Sequence, residues 1–160
     1  MAGSTCVTTP TTSQCGANGN ACTTCTAVDS CISGACTIDP TSTWLVRPSQ
    51  VRVNNSWDAT SAPDIFVEIW CPSTATSISY TTTTIGDATT ATWAAGGCTM
   101  TADQLLNLGF DFRVWDEDLS DHDLVQARTS ATPMDSHLRA GMLTGNTATL
   151  LNITFTFIKQ

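Results

Sequence analysis

The clearest alternation along the chain runs from Leu108 to Val114, where Leu108, Phe110, Phe112 and Val114 fall on one face of a strand. A second clean alternation, Leu151-Asn152-Ile153-Thr154-Phe155-Thr156-Phe157, lies near the end. Between them and before them, Val51-Arg52-Val53 alternates, and Ile65-Phe66-Val67-Glu68-Ile69-Trp70 is a strand flanked by Pro63 and Pro72. Ile78 to Ile85 is β-branched and Thr-rich, Thr92-Trp93 closes another short segment, and Leu124-Val125 marks one more. Short strands separated by turn-rich stretches predict an all-β, antiparallel sandwich or barrel. Thr101-Ala102-Asp103-Gln104-Leu105-Leu106 predicts one helical turn with Thr101 as its cap, and no long helix is expected.

The pattern changes at Asp39-Pro40-Thr41, which divides a segment 1–40 from a strand-bearing domain 41–160. The first segment has no apolar periodicity and cannot bury enough surface to offset chain entropy without cross-links. It holds Cys6, Cys15, Cys22, Cys25, Cys31 and Cys36, while Cys71 and Cys98 stand alone in the second. Both groups are even in number. That suits three bridges in a small module, in one of fifteen connectivities, and a fourth bridge in the larger domain. Zinc on Cys22, Cys25, Cys31 and Cys36 is the competing reading, but the second pair is too widely spaced and two cysteines are left over.

Composition narrows the function. The chain carries 14 acidic residues against 6 basic ones, a net charge of −8, with Lys159 its only lysine. Nucleic acid as a partner is excluded by that balance, since phosphate contacts need clustered Lys and Arg. Thr, Ser and cysteine richness together predict a secreted or cell-surface protein, extracellular or periplasmic. Met1-Ala2-Gly3-Ser4 has no apolar h-region, so either a signal peptide was removed and this start is engineered, or the export expectation is wrong.

The candidate chemistry lies in two acidic loops. Val114-Trp115-Asp116-Glu117-Asp118 ends one strand, and Asp121 and Asp123 follow within five residues. Asp58 and Asp64 bracket the loop before Ile65. Carboxylates gathered this closely repel and raise one another's pKa, a conflict that a hard divalent cation removes, and oxygen-rich loops are how proteins hold calcium. An EF-hand is excluded: Asp121 sits where the loop requires glycine, Ala127 where it requires glutamate, and a strand precedes the loop.

At these residues the chain resembles a C2 domain. The run Ala62-Pro63-Asp64-Ile65-Phe66-Val67 is similar to the family's first acidic loop entering a strand. Val114-Trp115-Asp116-Glu117-Asp118 with Asp123-Leu124-Val125 is similar to its third loop, and Trp93 to its tryptophan after the Thr-rich strand. Gln126 replaces the family's usual glycine, and the third loop is a residue short. The resemblance covers 41–160 and implies an eight-stranded antiparallel β-sandwich preceded by the small disulfide-rich module. It implies calcium held at one end by Asp58, Asp64, Asp116, Asp118 and Asp123, with Asp121 as an additional ligand. The expected function is a non-enzymatic, exported calcium-binding domain. The other readings are a calcium-dependent module for anionic lipid headgroups, with Trp57 and Leu119 at the membrane, and a self-assembling or adhesive subunit with a cell-surface partner. His122 and His137 are expected to be an exposed loop histidine and a surface one, because no nucleophile motif accompanies either.

Overall fold

A computed structural model describes residues 11–16, 23–54, 61–118 and 122–160. Eleven strands and two short helices are found among them. A hairpin of β1 (Ser30–Ile32) and β2 (Ala35–Thr37) lies in the cysteine-rich segment. The sandwich then uses β3 (Thr43–Val53), β4 (Ile65–Trp70), β5 (Tyr80–Thr81), β6 (Thr90–Thr92), β7 (Cys98–Thr101), β8 (Phe110–Glu117), β9 (His122–Ala131), β10 (Met142–Gly145) and β11 (Leu150–Lys159). Helix α1 (Ala102–Asn107) precedes β8, and α2 (Asp135–Ala140) follows β9.

One sheet runs β5-β4-β8-β9. The other runs β10-β11-β3-β6, with β7 also on β3. β6 pairs with Gln50–Arg52 and β7 with Thr43–Val46, so the two occupy one lane end to end along the eleven-residue β3. The expected eight-lane antiparallel sandwich is therefore present, with one edge lane interrupted. Two inward faces meet in a core built on Trp44, Val67, Ile69, Phe110, Phe155 and Leu138. Phe110 packs edge-on against Phe155, with ring centroids 4.6 Å apart, the geometry the ring quadrupoles favour.

β3 shows why its alternation breaks. Trp44, Val46 and Pro48 are buried, then Val51 and Val53, so the inward parity switches between Pro48 and Val51. The register with β11 slips at the same place, from Thr154↔Gln50 to Phe155↔Pro48. Pro48 has no N–H for the ladder. The extra residue, Ser49, donates its hydroxyl to the Thr154 carbonyl at 3.0 Å, while its own carbonyl accepts from Trp93 N. This is a β-bulge, and it leaves Leu45 and Arg47 outward on one side and Gln50 and Arg52 outward on the other.

β4 is buried on both faces apart from Glu68. Its outward Phe66 and Trp70 are covered by a ladder of side chains. Arg113 lies over the Trp115 ring at 4.5 Å and the Trp70 ring at 5.2 Å, and Arg128 lies over Trp70 at 4.5 Å. Glu68 holds Arg113 and the Trp115 indole at 2.8 and 2.7 Å. Planar guanidiniums stack on rings and fork onto carboxylates at once.

Three expectations need correcting. Leu151 does not share the buried face of Ile153, Phe155 and Phe157: it is exposed and Leu150 is buried instead, because the register with β3 slips between Leu150 and Asn152. Leu108 is not on the core face of β8: it caps α1, donating its N–H to the Gln104 carbonyl, and is exposed. Ile78 to Ile85 forms only the two-residue β5 and an isolated bridge from Ile85 to Ile65. Hydroxyls take over part of that ladder: Ser79 Oγ accepts from Cys71 N, and Thr82 Oγ1 from Val67 N. Ser and Thr compete with carbonyls in this way. Thr101 does cap α1, accepting from Gln104 N while the Gln104 side chain accepts from Thr101 N.

Three disulfides form among the described cysteines: Cys15–Cys31, Cys25–Cys36 and Cys71–Cys98. Cys6 and Cys22 lie outside the described residues. Cys25 and Cys31 are each joined to a different cysteine, so the zinc alternative gives way to a cross-linked segment. That segment docks on the sandwich through Ile38 in the core, Lys159 Nζ donating to the Val28 carbonyl, and the nearly buried Asp29 paired with Arg139 of α2. Burial opposes ionisation of Asp29. Hydrogen bonds from Arg139 and Thr26 and the charges of Arg139 and Lys159 outweigh it, so its carboxyl is held below the ordinary value of 3.8.

A candidate metal centre at one pole of the sandwich

The inward face of β8 runs Phe110, Phe112, Val114 and then Asp116, all buried. The last of these puts a carboxylate where the alternation calls for an apolar side chain, at the end of the core. Asp116 lies opposite Ile65 on β4 and opposite Asp123 on β9. Residues directly opposite in an antiparallel pair share a face, and like charges there destabilise the sheet. Asp116 is fully buried, whereas Asp123 is exposed.

Asp64, one residue before β4, completes the arrangement. Its backbone N–H donates to Asp116 Oδ1 at 2.6 Å, and its carbonyl accepts from Glu117 N at 2.7 Å. Its own Oδ1 accepts from Asp87 N at 2.7 Å. Asp87 has φ +51°, and a Cβ on the neighbouring Gly86 would come within 3.1 Å of Asp64 Oδ1. The segment is held there by Ala88 N donating to the Pro63 carbonyl and by the Ile85–Ile65 bridge. Three connections therefore meet at one pole: the residues before β4, the 86–88 turn, and the ends of β8 and β9.

Of the six expected ligands, Asp64, Asp116 and Asp123 fall on neighbouring strand ends, but their carboxylate oxygens do not all come within 4.8 Å of one another. Asp118 follows β8 directly and is exposed. Asp58 and Asp121, like Trp57 and Leu119, lie outside the described residues. The sequence reading did not include the 86–88 turn, although Gly86-Asp87 after a Thr-rich segment is a turn signal. Glu117 is also tied in, with Thr84 Oγ1 donating to its Oε2. The arginines pair elsewhere: Arg113 with Glu68, Arg128 with Asp111, and Arg139 with Asp29.

The donors are all oxygens, the set that suits a hard cation. Among the described residues, the one trio whose donor atoms all lie within 4.8 Å of one another is Cys15, Cys25 and Cys36. Those sulfurs are already spent in disulfides, so that trio is no metal site.

His122 opens β9 and packs edge-on against the Phe66 ring at 5.3 Å. His137 Nδ1 accepts from Met134 N at 3.0 Å, which makes it part of the start of α2. Gln126, where a glycine is usual in C2 domains, joins the two sheets' ends. Its Oε1 accepts from Thr147 and Thr149 hydroxyls at 2.6 Å each, and its Nε2 donates to Thr129 Oγ1 at 2.7 Å.

No helix among the described residues is long and apolar enough to cross a membrane. No family model matches the chain, and no curated protein matches it. Solved structures do. A structure described as a C2 domain is 15% identical with a TM-score of 0.51, over 74% of this chain and 98% of that one. The C2A domain of a plant extended synaptotagmin 1 is 13% identical with a TM-score of 0.57, over 76% of this chain and 96% of its own. Human GIVD cytosolic phospholipase A2 is 16% identical with a TM-score of 0.50, and the match covers 76% of this chain but 17% of that one. The β-sandwich of this protein has the fold of a C2 domain.

Proposed function

We propose that this chain is a non-enzymatic, exported calcium-binding domain whose ion sits among the acidic loops at one pole of the C2 sandwich. The observation that carries the reading is the pair Asp116–Asp123. Two carboxylates face each other across adjacent strands, one of them fully buried, at the mouth of an otherwise apolar core. A divalent cation removes the repulsion that such an arrangement carries. Asp64, Asp116, Asp118 and Asp123 supply ligands, and Asp58 and Asp121, outside the described residues, are the remaining ones that the sequence resemblance implies. The disulfides support an oxidising, extracellular setting. Calcium there is abundant, and extracellular modules bind it with dissociation constants of about 10⁻⁴ to 10⁻³ M.

Calcium that binds only the folded state stabilises it by mass action, by about 2.7 kcal/mol at a hundredfold excess over Kd. For a chain of this size that is a rise in Tm of roughly 5 to 10 °C. Thermal unfolding in millimolar calcium and in EDTA measures it directly. Asp118→Asn, at an exposed position, is expected to keep the fold and shrink the shift. An identical Tm in both buffers refutes the reading.

A second reading is favoured by the likeness to a phospholipase A2 and an extended synaptotagmin, in which the loaded pole docks on anionic lipid. Vesicles containing phosphatidylserine should then pellet the protein in calcium and release it in EDTA. Absence of pelleting leaves calcium in a structural role.

A further inference from the structure

The outer face of the five-stranded sheet differs in charge from the rest of the molecule. None of β3, β6, β7, β10 or β11 carries an acidic residue, in a protein with a net charge of −8. The strand register arranges the outward side chains in rows. Thr90, Arg52 and Asn152 form one row. Thr92, Gln50, Thr154 and Thr144 form the next, across all four lanes. Arg47 lies opposite Thr156 in a third. Arg47 and Arg52 are five residues apart, so strict alternation would place them on opposite faces. The bulge at Ser49 brings both to the outside.

This face continues into a cleft at the sandwich edge. Tyr80, Trp93, Thr83, Thr92 and Gly96 line a space of about 270 Å³ between β5 and β6. Thr92 belongs to both the cleft and the polar face. Arg47 Nε donates to the Gly96 carbonyl at 3.1 Å, so one guanidinium stands at the junction. The Trp93 indole is anchored to the Thr83 carbonyl at 2.7 Å, which fixes the aromatic wall.

We propose that this face and cleft bind a carboxylate-bearing polysaccharide, independently of the acidic pole. A guanidinium presents a planar fork that matches a carboxylate bidentately. Hydroxyl and amide rows offer paired donors and acceptors suited to a polyol. Half-buried Tyr80, backed by the buried Trp93, gives an apolar wall for a sugar ring face. A sheet whose strands carry no acid, on an otherwise acidic protein, is complementary to an anion within a Debye length of about 8 Å.

The test uses the whole chain in EDTA, so that the result does not depend on calcium, with polygalacturonate as probe and neutral dextran as control. Affinity electrophoresis should show retardation by polygalacturonate and none by dextran. Raising the salt should weaken it. Arg52→Gln, at an exposed position, should reduce affinity about tenfold, the worth of one charge-assisted hydrogen bond. Arg47→Gln/Arg52→Gln should abolish it. Because Arg47 also bonds the Gly96 carbonyl, thermal unfolding must show the double variant folded. If it is not, the Arg52→Gln result alone decides. No binding in EDTA, equal binding to dextran, or undiminished binding by Arg52→Gln overturns the proposal. So does binding that goes only to anionic vesicles. Failure here leaves the calcium reading untouched, and a calcium-independent Tm leaves this one untouched.

Discussion

The ion pair that fastens the cysteine-rich segment to α2 predicts an asymmetry between its two partners. Asp29 Oδ1 is 3.0 Å from Arg139 Nη2, and Arg139 Nε reaches the two carboxylate oxygens at 3.0 and 3.3 Å, with Thr26 Oγ1 donating to Oδ2 at 2.7 Å. The carboxylate side chain is 4% exposed and the guanidinium 37%. Truncating Arg139 to Ala leaves a buried charge with one hydroxyl bond and the charge of Lys159, and costs about 3 to 4 kcal/mol, in the lower part of the range of about 3 to 5 for breaking a buried pair. Truncating Asp29 to Ala leaves a guanidinium that water already reaches and Asp135 approaches at 3.9 Å. The loss is then the net worth of hydrogen bonds to a charged group, about 2 kcal/mol. Arg139→Ala should therefore lower Tm by roughly 6 to 16 °C and Asp29→Ala by about 4 to 8 °C. The pH dependence separates them further. In the parent protein the Asp29 carboxyl is held below its ordinary value. Its stabilisation is thus fully present above about pH 4 and is lost as pH falls through the lowered value. Without Arg139 the stranded carboxylate is relieved by protonation, so the deficit of Arg139→Ala should shrink on acidification. Denaturant titrations of both variants from pH 7 down to pH 4 make the comparison. An Asp29→Ala variant as destabilised as Arg139→Ala at pH 7 would refute the argument that burial of the carboxylate sets the cost.

Other outcomes follow from particular contacts. Cys71–Cys98 closes a separation of 27 residues, so replacing both cysteines by Ala should lower unfolding free energy by about 3.5 kcal/mol on the chain-entropy account, measured by urea titration. Gln126→Gly removes the contacts to Thr129, Thr147 and Thr149. It should cost about 1 to 2 kcal/mol, and faster proteolysis around 146–149 would locate the loss. The Tm comparison in calcium and EDTA completes the set, and an Asp116→Asn variant should lose the shift while retaining the acceptor for Asp64 N.

How much of this was legible in the sequence varied by element. β8 and most of β11 were, because Phe110, Phe112 and Val114, and likewise Ile153, Phe155 and Phe157, alternate and are buried, while β4 was legible from an apolar run buried on both faces. β3 was legible only in part: alternation carries no parity across an inserted residue, and Pro48-Ser49 gives no apolar signal of a bulge. The Thr-rich segment misled because hydroxyls there replace carbonyls as acceptors. That interaction depends on which strand lies alongside. Leu108 misled for a nearer reason: the short helix α1 ends at the residue from which the apolar alternation starts. At the acidic pole, Asp116 and Asp123 were legible as neighbours in a loop, but their direct opposition across β8 and β9 needed the register. The 86–88 turn is separated from Asp64 by more than twenty residues, and only the sheet's closure brings its Asp87 N–H to that carboxylate.

Ser49 carries a consequence for how this surface can change over time. Deleting that single residue would remove the bulge and restore unbroken alternation, with Pro48, Val51 and Val53 still inward and Gln50 and Arg52 still outward. Point substitutions on the outer rows alter one contact at a time. A one-codon loss at the bulge keeps the inward set of the longest strand, so this spot should tolerate a length change that regular stretches of the sheet do not.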